Sequence, residues 1–201
     1  MADYIFREQP GAGQDAPLLL VFHGTGGDEN QFFELGEQLV PGARVIAPRG
    51  DVSEGGALRY FRRTGEGRYD MEDLARRTDA MAEFVAGLRE RGAPRRVMGL
   101  GYSNGANILA SVMFQAPGLF DAAALLHPLI PFTPAPVDLT GRQVLISAGR
   151  RDPIAPATAT DALAAFFATA GATTELVWHE GGHELRPEEL AAAQRLFARA
   201  A

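Results

Sequence analysis

The chain has 201 residues, 46% hydrophobic and 22% charged, with a net charge of −6; it reads as one domain spanning residues 1–201, long enough to bury a sizeable core. The acidic balance disfavours nucleic acid as a partner, because phosphate binding wants a basic face. The absence of cysteine excludes disulfides, thiolate metal sites and cysteine nucleophiles.

The start, MADYIFREQP, lacks a basic segment followed by an apolar core, so no secretory signal is expected. No apolar run approaches the length of a bilayer span. A cytoplasmic protein without a membrane partner is the default expectation. Tyr4–Arg7 reads as an edge strand, and Leu18–Phe22 (LLLVF) as a buried one. A glycine-rich loop, HGTGGDEN, follows, and Phe32–Leu39 reads as a short helix with Asp28 or Asn30 as its cap. Arg44–Ala47 is a short strand candidate. Gly50–Tyr69 has no steady period and reads as a long irregular loop. Met71–Arg91 is a helix whose stripe is Met71, Leu74, Met81, Val85 and Leu88, stopped by Gly92. Arg96–Leu100 is a buried strand, Asn104–Gln115 a helix, and Ala122–Leu126 (AAALL) a buried strand. His127–Gly141 carries four prolines and reads as a second long loop. Val144–Ala148 and Glu175–Trp178 are strands around a helix at Thr158–Ala170. Glu188–Ala200 is the last helix, with Pro187 at its first position and Glu188 and Glu189 at the positive end of its dipole.

Runs that are apolar on both sides suit strands covered on both faces. Their alternation with helices predicts an α/β fold: one mostly parallel sheet flanked by helices on both faces, with no large cap domain. In such sheets ligands sit beyond the carboxyl ends of the strands. Both long loops follow a strand and are expected over that edge.

Gly101-Tyr-Ser-Asn-Gly105 fits G-x-S-x-G between a strand and a helix, the context that pattern requires. Small residues two positions either side let strand and helix close on each other and leave Ser103 strained and exposed. Alone, the pentapeptide could be an ordinary serine in a helix N-terminal turn. As a nucleophile the serine needs a histidine base held by a carboxylate. With the order serine, acid, histidine, His183 can reach the sheet edge from the loop GGHEL. His179 sits nearer its strand and reads as structural, and His127 reads as a pocket-wall residue. Asp152 lies just past Val144–Ala148, stopped by Pro153, whereas Asp161 falls on a helix facing solvent. The oxyanion donors are expected to be the backbone N–H groups of Asn104 and Thr25, with Gly26 as the next choice. Tyr60, Phe61, Arg62 and Arg63 are candidate substrate-pocket residues, as are Leu129 and Ile130. Arg62 and Arg63 could equally be solvated or paired with Asp28 or Glu29. His23 and the pair Phe166-Phe167 read as packed core residues.

The segments FHGTGGDEN, RGDVSEGGALRYFRR, GYSNGAN, HPLIP, AGRRDPIAP and GGHEL together resemble the alpha/beta-hydrolase superfamily. Within it the chain is similar to the phospholipase/carboxylesterase group of small serine esterases, in its hydroquinone-resistance-linked branch. The resemblance covers nearly the whole chain and implies Ser103 as nucleophile, Asp152 as acid and His183 as base.

The expected function is therefore cleavage of a small carboxylic ester through an acyl-enzyme, without cofactor or metal. Leu129, Ile130 and Phe132 suggest an apolar wall favouring short or medium acyl or aryl esters. The exposed proline-rich loop is compatible with a homodimer. Three alternatives stand beside this reading. His179-Glu-Gly-Gly-His183 matches the zinc motif H-E-x-x-H, which works only on a helix; its two glycines and the strand-like ELVW before it speak against one. A dinucleotide fingerprint would need glycine at 104, where Asn104 stands. A non-catalytic binding protein on the same fold has no need of all three triad residues.

Overall fold

A computed structural model describes residues 4–13 and 15–200; residues 1–3, 14 and 201, which the single-domain expectation also covers, lie outside the described residues. The chain begins with β1 (Phe6–Gln9), β2 (Leu18–Phe22), α1 (Phe33–Leu39) and β3 (Arg44–Pro48). Four short strands follow: β4 (Val52–Glu54), β5 (Ala57–Arg59), β6 (Arg63–Gly65) and β7 (Arg68–Tyr69). Then come α2 (Met71–Gly92), β8 (Val97–Tyr102), α3 (Asn104–Gln115), β9 (Ala122–Leu126), β10 (Gln143–Gly149), α4 (Ala157–Thr169), β11 (Thr173–His179) and α5 (Pro187–Ala200). None of the described helices is long and apolar enough to cross a membrane.

Seven strands form one sheet in the order β1-β3-β2-β8-β9-β10-β11. All neighbours are parallel except β1, which runs antiparallel to β3 at the edge. Along β2 the side chains alternate between two cores. Leu18, Leu20 and Phe22 pack with Met81, Val85 and Leu88 of α2 and with Leu109 and Phe167 of α3 and α4. Leu19 and Val21 pack with Phe33 and Leu39 of α1 and with Leu196 and Phe197 of α5. Two covered faces explain why the strands read as unbroken apolar runs.

Several local expectations change. The Gly50–Tyr69 segment is not an irregular loop: β4 pairs with β5, and β6 with β7, as two antiparallel hairpins. Gly55, Gly56 and Gly67 take positive φ at their tips, so turn chemistry wins where no period could show over two or three residues. Neither Asp28 nor Asn30 caps α1. Its N-cap is Phe32 without a side-chain bond, and Asp28 Oδ1 accepts instead from the Asn30 N–H at 2.9 Å. The helix α2 is capped by Asp70, which accepts from the Asp73 N–H at 3.0 Å. At its other end Gly92 stays helical and Ala93 takes the left-handed turn (φ 38°). Met71, at the start of the predicted stripe, is exposed, and Phe84 is buried on that face instead.

The sequence order of the strands reverses beside β2, with β3 on one side and β8 on the other. That reversal leaves a crevice above their carboxyl ends. There β8 and α3 touch so closely that a Cβ on Gly101 would sit 2.5 Å from the Gly105 carbonyl oxygen. One on Gly105 would sit 2.5 Å from the Phe22 and His23 carbonyl oxygens. Backbone cannot yield as a flexible side chain can, so Gly105→Ala is expected to destabilise the protein by about 1–3 kcal/mol or more. Gly118→Ala, at a position with nothing near its would-be Cβ, should stay within about 0.5 kcal/mol of the native chain. Urea unfolding of the two variants beside the native chain measures both.

Candidate active site

Ser103 stands between β8 and α3 with φ 53° and ψ −117°, in the region that L residues avoid. It makes no capping bond to its own helix, so its hydroxyl is free to face the crevice. Asn104 follows at the first helical position, whose N–H has no intrahelical partner. The helix dipole adds partial positive charge at the same point.

His183 Nε2 lies 2.9 Å from Ser103 Oγ, and His183 Nδ1 lies 2.6 Å from Asp152 Oδ2. Asp152 sits in the turn after β10, its side chain fully buried. Its Oδ1 accepts from the N–H groups of Ile154 (2.8 Å) and Ala155 (3.1 Å). Burial pushes the Asp152 carboxyl up, but hydrogen bonds from His127, His183 and those two N–H groups outweigh it and hold the group below its ordinary value. An ionised Asp152 takes the Nδ1–H of His183, which leaves Nε2 a lone pair for the serine proton. The His183 loop is held from β8, where the Tyr102 hydroxyl donates to the His183 carbonyl at 2.7 Å. That anchor lies inside the G-x-S-x-G pentapeptide, at a variable position of the pattern.

A second buried group stands behind this one. His127 follows β9 with φ 52° and is fully buried. Its Nδ1 lies 2.9 Å from the same Asp152 Oδ2 that His183 contacts, and its Nε2 lies 3.0 Å from Glu189 Oε1. Glu189, in the first turn of α5, is also fully buried. It accepts from the Ser147 hydroxyl and the Arg186 N–H, each at 2.6 Å. Burial alone would lower the basicity of His127, but the bonds to Glu189 and Asp152 raise its pKa above the ordinary value. Burial likewise pushes Glu189 up, and its bonds to His127 and Ser147 bring it below its ordinary value. Sequence reading placed Glu189 at a favourable helix position but gave it no partner, because pairing α5 with the end of β9 takes the folded sheet. His127 does border the crevice, as expected, yet as a buried group beneath it with both nitrogens engaged.

The crevice holds about 370 Å³ above Ser103 and is lined in part by Thr25, Arg59, Arg63, Tyr69, Leu129 and Ile154. The candidate pocket residues divide. Leu129 lines it. Tyr60 and Phe61 do not: both are buried in the core, where the Tyr60 hydroxyl donates to the Pro48 carbonyl at 2.7 Å. Arg62 turns away and pairs with Asp70 at 3.1 Å. Ile130 and Phe132 face a separate depression beside Leu163 and Phe166, so most of the expected apolar wall is absent from the crevice. Arg59, missed in the sequence, is the buried cation here. Its Nη1 donates to Thr25 Oγ1 at 2.7 Å and its Nε to the Phe61 carbonyl at 3.2 Å. Alternation along the hairpin strand β5 could have flagged it, had the hairpin been visible. Arg63 pairs with Glu54 at 3.0 Å rather than with Asp28 or Glu29, and Glu29 is taken by Arg49 at 2.5 Å.

Among the loop donors, the Gly26 N–H is spent on the Leu58 carbonyl at 2.9 Å, while Thr25 and Asn104 both border the crevice. The Asn104 side chain is buried, its Oδ1 accepting from the Tyr60 N–H at 2.7 Å and its Nδ2 without a partner. His23 is structural, as expected, with Nε2 accepting from the Gly50 N–H at 2.8 Å. The HEGGH segment is not helical: His179 ends β11 and His183 lies in the loop beyond it. His179 Nδ1 accepts from the Gly181 N–H at 2.9 Å.

Residues 7–188 match the model of the dienelactone hydrolase family. MhqD of Bacillus subtilis (strain 168) is 36% identical over 194 residues, covering 94% of this chain and 96% of that protein. Among solved structures, Atu2452 of Agrobacterium tumefaciens strain C58 is 52% identical with a TM-score of 0.94, covering 98% of this chain and 97% of that one. A carboxylesterase of Bacillus cereus is 35% identical with a TM-score of 0.94, covering 100% of this chain and 96% of that one.

The Asp152–His127–Glu189 group makes stability depend on pH in a definite sense. The two carboxyls are lowered on folding, so their contribution is full above their ordinary values of about 4 and fades as pH falls through the lowered ones. His127 is raised, so its contribution is full below its ordinary value of about 6.5 and fades as pH rises through the raised one. The Tm difference between the native chain and Glu189→Gln should therefore be largest between about pH 5 and about pH 6.5 and shrink on both sides. Thermal melts of both proteins across pH check this.

Proposed function

The chain belongs to the dienelactone hydrolase family, and from that premise we propose that it is a serine hydrolase that cleaves small carboxylic esters. The reading is carried by one observation. Ser103, His183 and Asp152, far apart in sequence, form a continuous hydrogen-bonded line at the crevice, with contacts of 2.9 and 2.6 Å. That spacing lets a histidine take a proton from the serine hydroxyl as it attacks.

Ser103 Oγ bonds to the substrate carbonyl carbon, and its proton passes to His183 Nε2. The carbonyl oxygen, now negative, is held by the N–H groups of Thr25 and Asn104; the engagement of the Gly26 N–H with Leu58 supports Thr25 over Gly26. Collapse of the tetrahedral species breaks the bond to the leaving oxygen, which takes the proton from His183 and departs as an alcohol. A water then attacks the acyl-enzyme and gives its proton to His183. That proton returns to Ser103 Oγ as the carboxylic acid is released. Throughout, Asp152 fixes the orientation of His183 and stabilises its charged form.

The crevice volume of about 370 Å³ lies toward the small end of small-molecule sites. Short acyl or aryl esters suit it better than long acyl chains. Arg59 and Arg63 make one wall polar, beside Leu129 and Ile154 on the apolar side.

Ser103→Ala should lower ester turnover by about 10⁴-fold or more and abolish labelling by a fluorophosphonate probe, while circular dichroism and Tm stay close to native. Turnover equal to the native rate in that variant defeats the reading. Dialysis against a chelator should leave the native rate unchanged, whereas a metal-dependent hydrolase built on His179 and His183 would lose it. In a panel of esters of graded acyl length, the rate should peak among the short chains.

A further inference from the structure

Asp152 carries more donors than a triad acid needs. Its Oδ2 is shared by two imidazoles, His183 at 2.6 Å and His127 at 2.9 Å. The protonation of His127 follows from its partners. Nδ1 faces Asp152, and Nε2 faces Glu189 at 3.0 Å. Glu189 already accepts from the Ser147 hydroxyl and the Arg186 N–H, which stabilises it as a carboxylate. His179 adds to this. Its Nδ1 accepts from the Gly181 N–H, so the proton of a neutral ring is on Nε2, 3.4 Å from Glu189 Oε2. His179 Nε2 also lies 3.3 Å from His127 Nε2; a neutral His127 could accept the His179 proton there only with its bare Nε2 lone pair set 3.0 Å from the Glu189 carboxylate. With both nitrogens protonated, Nδ1 makes a charge-assisted hydrogen bond to Asp152 and Nε2 an ion pair with Glu189.

The same tautomer of His179 speaks against a metal held by His127, His179 and Glu189, although their ligand atoms lie within 4.8 Å of one another. Binding through His179 Nε2 would push the ring proton to Nδ1, against the Gly181 N–H. The groups facing His127 are Asp152 from the turn after β10, Glu189 from α5, His179 from β11, His183 from the loop beyond and Tyr102 from β8. His127 also holds φ 52°, an unfavourable backbone state of the kind that clusters at functional sites.

We propose that His127 is a positioning residue of the hydrolase site, a buried imidazolium clamped between Asp152 and Glu189 that fixes the triad carboxylate and offsets part of its charge. The ring centroids of His127 and His183 are 5.1 Å apart. A positive charge at that distance offsets part of the field of Asp152 at His183. The hydrolase then keeps its base available to lower pH than an Asp152 acting alone would permit. This kinetic consequence rests on the serine-hydrolase reading; the protonation of His127 does not.

Two measurements test it. In nitrogen-15 NMR of the native protein, His127 should show two protonated ring nitrogens, persisting well above the pH at which free histidine becomes neutral. In Glu189→Gln it should show one. A singly protonated His127 in the native chain overturns the proposal whether or not the protein hydrolyses esters. In kinetics, Glu189→Gln and His127→Gln should each move the acid limb of kcat/KM upward by roughly one pH unit. The double variant should move it no further than either single one. If Glu189 acted only as a bare negative charge, Glu189→Gln would move the limb downward. If the pair were only structural, Tm would fall and the limb would stay. Either outcome overturns the proposal. Should both variants fail to fold, the native NMR spectrum still decides it.

Discussion

At Ser103 the chain leaves β8 and enters α3 with a backbone that costs an L residue about 1–3 kcal/mol. Strand and helix meet there so tightly that the Gly101 and Gly105 positions admit no side chain. The strain and the contact are one constraint. A relaxed turn would carry the hydroxyl back into the cap position of its own helix, where a serine ordinarily bonds to the N–H groups of the first turn. Held at φ 53°, Ser103 makes no such bond, so its oxygen and the N-terminus of α3 face the same small volume. The price of that backbone state is met by the apolar cores on either side of the sheet, which pin both β8 and α3.

The loops above the sheet are then tied to rigid elements by side chains rather than by each other. Tyr102, at the end of β8, holds the His183 loop through its hydroxyl. Asn107, on α3, holds the loop after β9 by accepting from the Leu129 N–H at 2.8 Å, and it donates to the Tyr69 hydroxyl at 2.8 Å. Tyr69 in turn donates to the Leu129 carbonyl at 2.6 Å. One residue of the hairpin β6–β7, one of α3 and one of the loop therefore close a ring of hydrogen bonds at the rim. Loop carbonyls and N–H groups that would otherwise be buried without partners are satisfied there. The His183 loop and one apolar wall of the crevice are both fixed in this way from β8 and α3, the two elements that meet at Ser103.

These layers differ in how far the sequence exposes them. The strands β2 and β9 are legible to the residue, because runs buried on both faces and bounded by turns have no competing period. Ser103, Asp152 and His183 are legible because each sits just past a predicted strand, and a parallel sheet puts all such positions on one edge. What resists reading is whatever depends on how loops fold back. Tyr60 and Phe61 look like pocket residues from their place in a glycine-rich loop. The hairpin β4–β5 gives that segment a register that turns them into the core and points Arg59 at the crevice. The partnership of His127 with Glu189 joins positions 62 residues apart, one just past β9 and one on α5, with β10 and β11 between them in sequence. No spacing rule covers it, and a histidine after a strand and a glutamate in a first helical turn each have an ordinary explanation alone.

The buried chain Glu189–His127–Asp152 is a weak device for stability as such. Taking charges out of water costs several kcal/mol each, and well-packed apolar residues of similar volume would often do as well or better. Its geometry also narrows what can be changed. Removing Glu189 leaves Ser147, the Arg186 N–H and a histidine without their acceptor, and removing His127 leaves two carboxylates facing each other's vicinity in the interior. The first turn of α5 is therefore coupled to the turn after β10 through His127. The apolar face of α5 secures the sheet while its acidic head sets the charge beneath Ser103 and His183. A helix that packs only for stability would need the face and not the head. On the proposed reading, the head is accounted for by the electrostatic environment it creates for His183.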